Sequence, residues 1–280
     1  MENIKLYAFA DEAGGKISEQ IDAMLRNGLS GVELRNTEYG NVSDLSLEHA
    51  KEIRDRLSDN GLTLWSLGSP LGKIGIDAPF EPEIDKLKRT LDIADVTGCR
   101  NIRMFSFYIP RGRDASEYKN AVLDRLHEMA EITKGCGVTL CHENEKGIYG
   151  ENAENCRIIL DEIPEIAGVF DPANFVQCDV DTSKAWGLLR DRIKYLHIKD
   201  ALKDGRVVPA GWGIGNVAEI VKAYIAQGGT AMTLEPHLTV FSGLASLERE
   251  GERSQVGEVY TYPDANSAFD AACNALKKLL

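Results

Sequence analysis

Residues 193–200 read IKYLHIKD. As a β-strand over 193–198 this stretch alternates, with Tyr195 and His197 on one face and Leu196 and Ile198 on the other. The aliphatic face suits packing under a helix, and the imidazole stands at the strand's end. The same pattern recurs. GVTLCHE (137–143) ends on Glu143 with Cys141 sharing its face, AGVFD (167–171) ends on Asp171, and AMTLE (231–235) ends on Glu235 with Thr233 beneath it. Helix-length inserts separate the four runs. Strands joined by such inserts, each closing on an acidic or imidazole side chain, predict convergence at one mouth of a parallel barrel.

The rest of the chain continues the alternation of strand and helix. Further strands are expected at Lys5–Ala10, 31–35, 62–68 and 101–106. Helices are expected at 18–27 (with Ser18 as N-cap), 46–59, 84–97, 115–135, 153–162, 182–190, 217–227 and 265–279. Eight such β–α units of ~35 residues each predict a single (β/α)8 TIM barrel, one domain over residues 1–280. Asn27-Gly28, Asn60-Gly61, Gly98-Cys99, Cys136-Gly137 and Gly228-Gly229 read as helix stops at the barrel's bottom. The longer loops, 68–83, 199–216 and 236–264, follow strands, on the face where barrels carry their sites. The last is long enough to act as a lid or an oligomer contact.

Composition narrows the function. The 280 residues are 43% hydrophobic, enough for a large core, and the net charge of −12 argues against a nucleic-acid surface. No stretch is apolar for long enough to span a bilayer, and the first residues lack a secretory pattern, so the expectation is a cytoplasmic protein. No two of the six cysteines have CxxC spacing, so neither a zinc ribbon nor a redox pair is indicated. GWGIG (211–215) lacks the spacing of a dinucleotide loop, and GSPLGKIG lacks that of a P-loop.

Three carboxylates and one imidazole suit a divalent ion such as Mn²⁺, Mg²⁺, Co²⁺ or Zn²⁺. Without a cation, three buried carboxylates would repel one another and take up protons. The plainer alternative is four unrelated strand-end residues in salt bridges or helix caps. Glu33 and Arg35 share a face of the second strand and Arg103 lies near the end of the fourth, so they suit either sugar binding or an internal ion pair. Trp65, Phe107, Tyr108 and Trp212 could wall a sugar ring or simply pack. His237, two residues past Glu235, could support the cluster from behind or contact substrate. His49 and His127 belong to helix surfaces. His142 should point away from the cluster, unless its strand ends early and brings His142 and Glu145 in.

The chain resembles the xylose-isomerase-like superfamily of TIM-barrel sugar isomerases and epimerases. The resemblance rests on GVEL (31–34), HEN (142–144), FDPAN (170–174), HIKD (197–200), PAGWG (209–213) and TLEPH (233–237). It implies one divalent metal held by Glu143, Asp171, His197 and Glu235. The implied reaction is proton transfer through an enediolate, with Glu143 and Glu235 as acid and base on a small carbohydrate. A dimer or tetramer is what such relatives suggest. Asn174 stands where many ketose epimerases have histidine, and Trp212 where their later motif has glutamate; both positions contact substrate in relatives. HIKD also occurs in inosose dehydratase-like relatives, which leaves a lyase open, with Lys199 polarising a substrate oxygen. DNA-repair relatives on this fold use a histidine-rich trinuclear zinc site, which five histidines and an acidic chain do not suit.

Overall fold

In a computed structural model that describes residues 4–241, 244, 249 and 256–280, eight parallel strands close into a barrel. They are β1 (Lys5–Ala8), β2 (Gly31–Leu34), β3 (Thr63–Leu67), β4 (Asn101–Met104), β5 (Thr139–Glu143), β6 (Ala167–Phe170), β7 (Ile193–Ile198) and β8 (Ala231–Leu234). Each pairs with its neighbour in chain order, and β1 closes the ring on β8 with Lys5 opposite Ala231. The described helices are α1 (Ile17–Arg26), α2 (Leu47–Asp59), α3 (Glu81–Thr97), α4 (Lys119–Thr133), α5 (Ala153–Glu162), α6 (Pro172–Gln177), α7 (Thr182–Leu189), α8 (Val217–Ala226) and α9 (Ala265–Lys277). Gly28, Gly61, Gly98, Gly137 and Gly228 all have positive φ, as the helix stops require.

The differences from expectation are local. α1 begins at Ile17, and Ser18 is not its cap. Acidic side chains supply the acceptors instead: Ile17 N–H donates to Glu38 Oε2 (2.8 Å) and Lys16 N–H to Glu19 Oε2 (3.0 Å). The short α6 was not expected. Asp171 caps it and Pro172 opens it, which also ends β6 one residue early. Residues 242–243, 245–248 and 250–255 of the long loop over 236–264, expected as a lid or an oligomer contact, lie outside the described residues.

Alternation divides the core in two. Leu140, Leu196, Ile198, Met232 and Leu234 face outward into the layer between barrel and helices. Tyr7, Cys141, Val169, Tyr195 and Ala231 face inward and, with Trp65, floor the barrel. Trp65 stacks on Tyr7 at 4.8 Å. Phe107 is buried in the outer core against Phe80. Tyr108 bridges Gly75 and Ile148 by its backbone, and its ring faces Arg249. Among the described residues no helix is long and apolar enough to cross a membrane.

Candidate metal centre

Directly above this floor, at the C-terminal ends of the strands, the side chains become charged. Glu143, Asp171, His197 and Glu235 are all buried, and each offers one ligand atom such that the four lie within 4.8 Å of one another. His197 Nδ1 is 2.9 Å from Glu143 Oε1 and 3.6 Å from Glu235 Oε2. The alternation seen in the sequence explains this: His197 stands one inward step above Tyr195, and Glu143 one above Cys141. His142 points the other way, with Nε2 2.9 Å from Ser106 Oγ, and Glu145 is paired with Lys73 at 3.0 Å. Neither joins the cluster.

Each carboxylate has one oxygen anchored from outside. Asp171 Oδ1 accepts the N–H of Asn174 at 2.9 Å as the α6 cap. Glu143 Oε2 accepts from Arg103 Nη1 at 3.1 Å, and Glu235 Oε1 from Arg35 Nη1 at 3.2 Å. Asn174 Nδ2 also donates to Glu143 Oε1 at 3.2 Å. The remaining Asp171 oxygen, Oδ2, is buried and accepts no hydrogen bond, although Lys199 Nζ lies 3.0 Å away. Lys199 also donates to Glu235 Oε2 at 2.9 Å. Its ammonium thus sits among the same inward oxygens.

The expected neighbours take definite places. Arg35 is fully buried and pairs with Asp11 through two hydrogen bonds, with Glu12 at 3.0 Å and with Glu235. Its guanidinium packs over Phe9, as does that of Arg103, so one ring lies against both arginines. Both arginines hold carboxylates of the cluster. Glu33 faces the underside of His197, 3.2 Å from Nε2. His237, with an uncommon φ of 45°, donates its N–H to Glu12 Oε2, and its Nδ1 is 3.7 Å from Glu235 Oε1. Trp212 is the exception. It is 54% exposed and meets Tyr260 edge-on at 5.2 Å, so the structure does not bring it into the cluster. Its loop is tied instead to Asp200, whose carboxylate accepts the N–H groups of Ala201, Gly211, Gly213 and Gly215. A Cβ at Gly213 would collide with Ala201 O and Asp200 Oδ1, which is why glycine stands there.

Sequence reasoning missed Asp11 and Glu12. They lie in a 3-10 turn (Ala10–Glu12) just past β1, a strand-end position like the others. The signal was present in FADE (9–12), but a strand read through Ala10 hid it.

The electrostatics follow from burial. Six carboxylates (Asp11, Glu12, Glu33, Glu143, Asp171, Glu235) face three fixed cations (Arg35, Arg103, Lys199) among the described buried residues. Burial pushes Asp171 up to about 7 against the pull of Lys199, and Glu12 up to about 8 against that of Arg35. At Glu143 burial is outweighed by His197 and Arg103, which hold the carboxyl at about 2. At Glu235 burial is outweighed by Lys199, with His237 and His197, and the carboxyl stands well below its usual range. Burial likewise opposes a charge on His197, but Glu143 and Glu33 on either side raise its pKa well above the ordinary value. An excess of buried negative charge, a buried carboxylate oxygen that accepts no hydrogen bond, and three inward oxygens beside an imidazole nitrogen together fit a divalent cation.

A family model described as a xylose isomerase-like TIM barrel matches residues 21–252. No curated protein matches the chain. Solved structures share the fold at low identity. The IOLI protein with a bound zinc atom has 15% identity and a TM-score of 0.75, over 99% of this chain and 98% of that one. The probable 3-DHS dehydratase AsbF from Bacillus anthracis has 16% identity and a TM-score of 0.74, over 98% of both chains. A D-allulose 3-epimerase from Methylomonas sp., in complex with D-allulose, has 15% identity and a TM-score of 0.73, over 100% of this chain and 98% of that one.

Proposed function

We propose, from the premise that the chain belongs to the xylose isomerase-like TIM barrel family, that it is a divalent-metal-dependent isomerase or epimerase of a sugar or keto-polyol. The convergence of Glu143, Asp171, His197 and Glu235 in one buried cluster carries the reading. When bound there, a divalent cation supplies Lewis acidity that makes a C–H beside a carbonyl removable and stabilises the enediolate. Everything else falls to the chain's own groups.

Glu143 and Glu235 are the acid and base. They reach the centre from β5 and from the end of β8; the one that is ionised takes a proton from the substrate carbon, and the other delivers the proton it already carries to the opposite face, after which the two have exchanged roles. Arg103 and Arg35 hold the two carboxylates in place. Asn174 fixes Glu143 and, through its N–H, Asp171. Burial of the cluster keeps bulk water from the reacting carbon. A second reading, a lyase that dehydrates a keto-polyol, is favoured by Lys199. Its buried ammonium, 2.9 Å from Glu235, can hydrogen-bond a departing hydroxyl.

The test is incubation of the Mn²⁺-loaded protein with ketoses and keto-inositols in D₂O, followed by NMR. Solvent deuterium at the α-carbon of an otherwise intact sugar supports the isomerase or epimerase. Loss of water supports the lyase. A metal-loaded protein that exchanges no α-proton on any member of the panel counts against both.

A further inference from the structure

We infer that Glu33 is a positioning residue that presents His197 to the metal, and that Tyr195 and Ser66 hold it in that role. The inference rests on the metal reading above but is separable from it. His197 stands between two carboxylates: Nδ1 faces Glu143 and Glu235, while Nε2 lies 3.2 Å from Glu33 Oε2. An imidazole can ligate a cation only through a nitrogen that carries no proton. A carboxylate accepting the proton on Nε2 leaves the lone pair on Nδ1, aimed at the inward oxygens.

The surroundings of Glu33 are built for this. The residue is 1% exposed. Its other oxygen, Oε1, accepts from the Tyr195 hydroxyl at 2.8 Å and from Ser66 Oγ at 3.1 Å. Tyr195 also lies on β7, two residues before His197, so one strand supplies both the imidazole and the clamp on its orienting carboxylate. The register between β2 and β3 shifts between Val32 and Glu33, which sets Glu33 opposite Ser66. Such irregularities re-aim a side chain, and here the result is a hydroxyl beside Oε1. Phe9 meets the imidazole edge-on at 5.2 Å and limits its rotation. Arg35 and Arg103, the nearby guanidiniums, are bonded to other carboxylates.

The experiment compares Zn²⁺ affinity by competition with a chromophoric chelator, and Co²⁺ absorption spectra, for the wild type, Glu33→Gln, Glu33→Ala and Tyr195→Phe. Melting of each metal-free variant shows which ones fold. The expected result is a loss of about 10–100-fold in Zn²⁺ affinity for Glu33→Ala. Glu33→Gln keeps an acceptor without the charge, and Tyr195→Phe keeps the charge, so both should lose less. Ligand-field bands should shift in Glu33→Ala. A purely structural role would lower melting temperatures and leave the affinity and spectrum of the folded protein unchanged, and that result would overturn the inference. If the wild type itself bound neither Zn²⁺ nor Co²⁺, the metal reading would fail first, which keeps the two claims apart.

Discussion

Cys141 and Glu143 lie two residues apart on one strand and face the same way, as do Tyr195 and His197. Yet the lower residue of each pair belongs to an apolar floor with Tyr7 and Trp65, and the upper to a cluster rich in buried carboxylates. One inward step along the barrel exchanges packing for chemistry. The floor is held mainly by contact area and ring stacking, with the Tyr195 hydroxyl reaching from it to the Glu33 carboxylate. The mouth is the reverse. Its carboxylates outnumber its fixed cations, so it carries a cost that a bound divalent ion would relieve. The two layers should therefore respond differently to substitution, to pH and to metal.

The largest expected effect lies in the mouth. Glu143→Gln and Glu235→Gln should each lower turnover by ~10²–10⁴-fold, the range for a lost general acid or base, beyond any loss of folded protein. In the floor the outcome should invert. Trp65→Ala should destabilise the fold by ~3–5 kcal/mol in denaturant titration, with metal stoichiometry of the folded protein unchanged. If Trp65→Ala abolished metal binding in folded protein, the separation of the layers would break.

pH sharpens the contrast. A buried carboxyl with a raised pKa favours the fold in its protonated form. That contribution is whole below the unfolded value of ~4.3 and drains as pH rises through the folded one. Glu12, pushed up to about 8, should thus make the metal-free protein less stable as pH climbs from about 4 to about 8, and Asp171, at about 7, should add to the decline. Melting temperatures across that window should show the fall, and Glu12→Gln should flatten it. The smallest effect belongs to the loop beside the mouth. Asp200→Asn has only one oxygen left for the backbone N–H groups of Gly211, Gly213 and Gly215, so it should cost ~1–3 kcal/mol and speed amide exchange at those glycines.

Much of this was legible before the structure. Periodicity located all eight strands, and alternation along β5, β7 and β8 put Glu143, His197 and Glu235 inside the barrel. Partners were not legible, because they depend on which strand ends stand side by side. Arg35, Arg103 and Glu33 read equally well as sugar ligands or ion pairs, and only the closed barrel shows Glu33 3.2 Å from His197 Nε2. Asp11 and Glu12 escaped because a turn, not a strand, presents them. Trp212 read as a substrate contact from its motif, but the loop tied to Asp200 turns it toward Tyr260 and solvent.

The central claim is that the four strand-end residues form one metal centre, and anomalous scattering from crystals grown with Zn²⁺ tests it most directly. The account predicts one strong anomalous peak per chain at about 2.0–2.2 Å from His197 Nδ1 and from an oxygen each of Glu143, Asp171 and Glu235. A peak held instead by Glu12, Glu235 and His237, the other described group able to gather a cation, or no peak at saturating Zn²⁺, would contradict it.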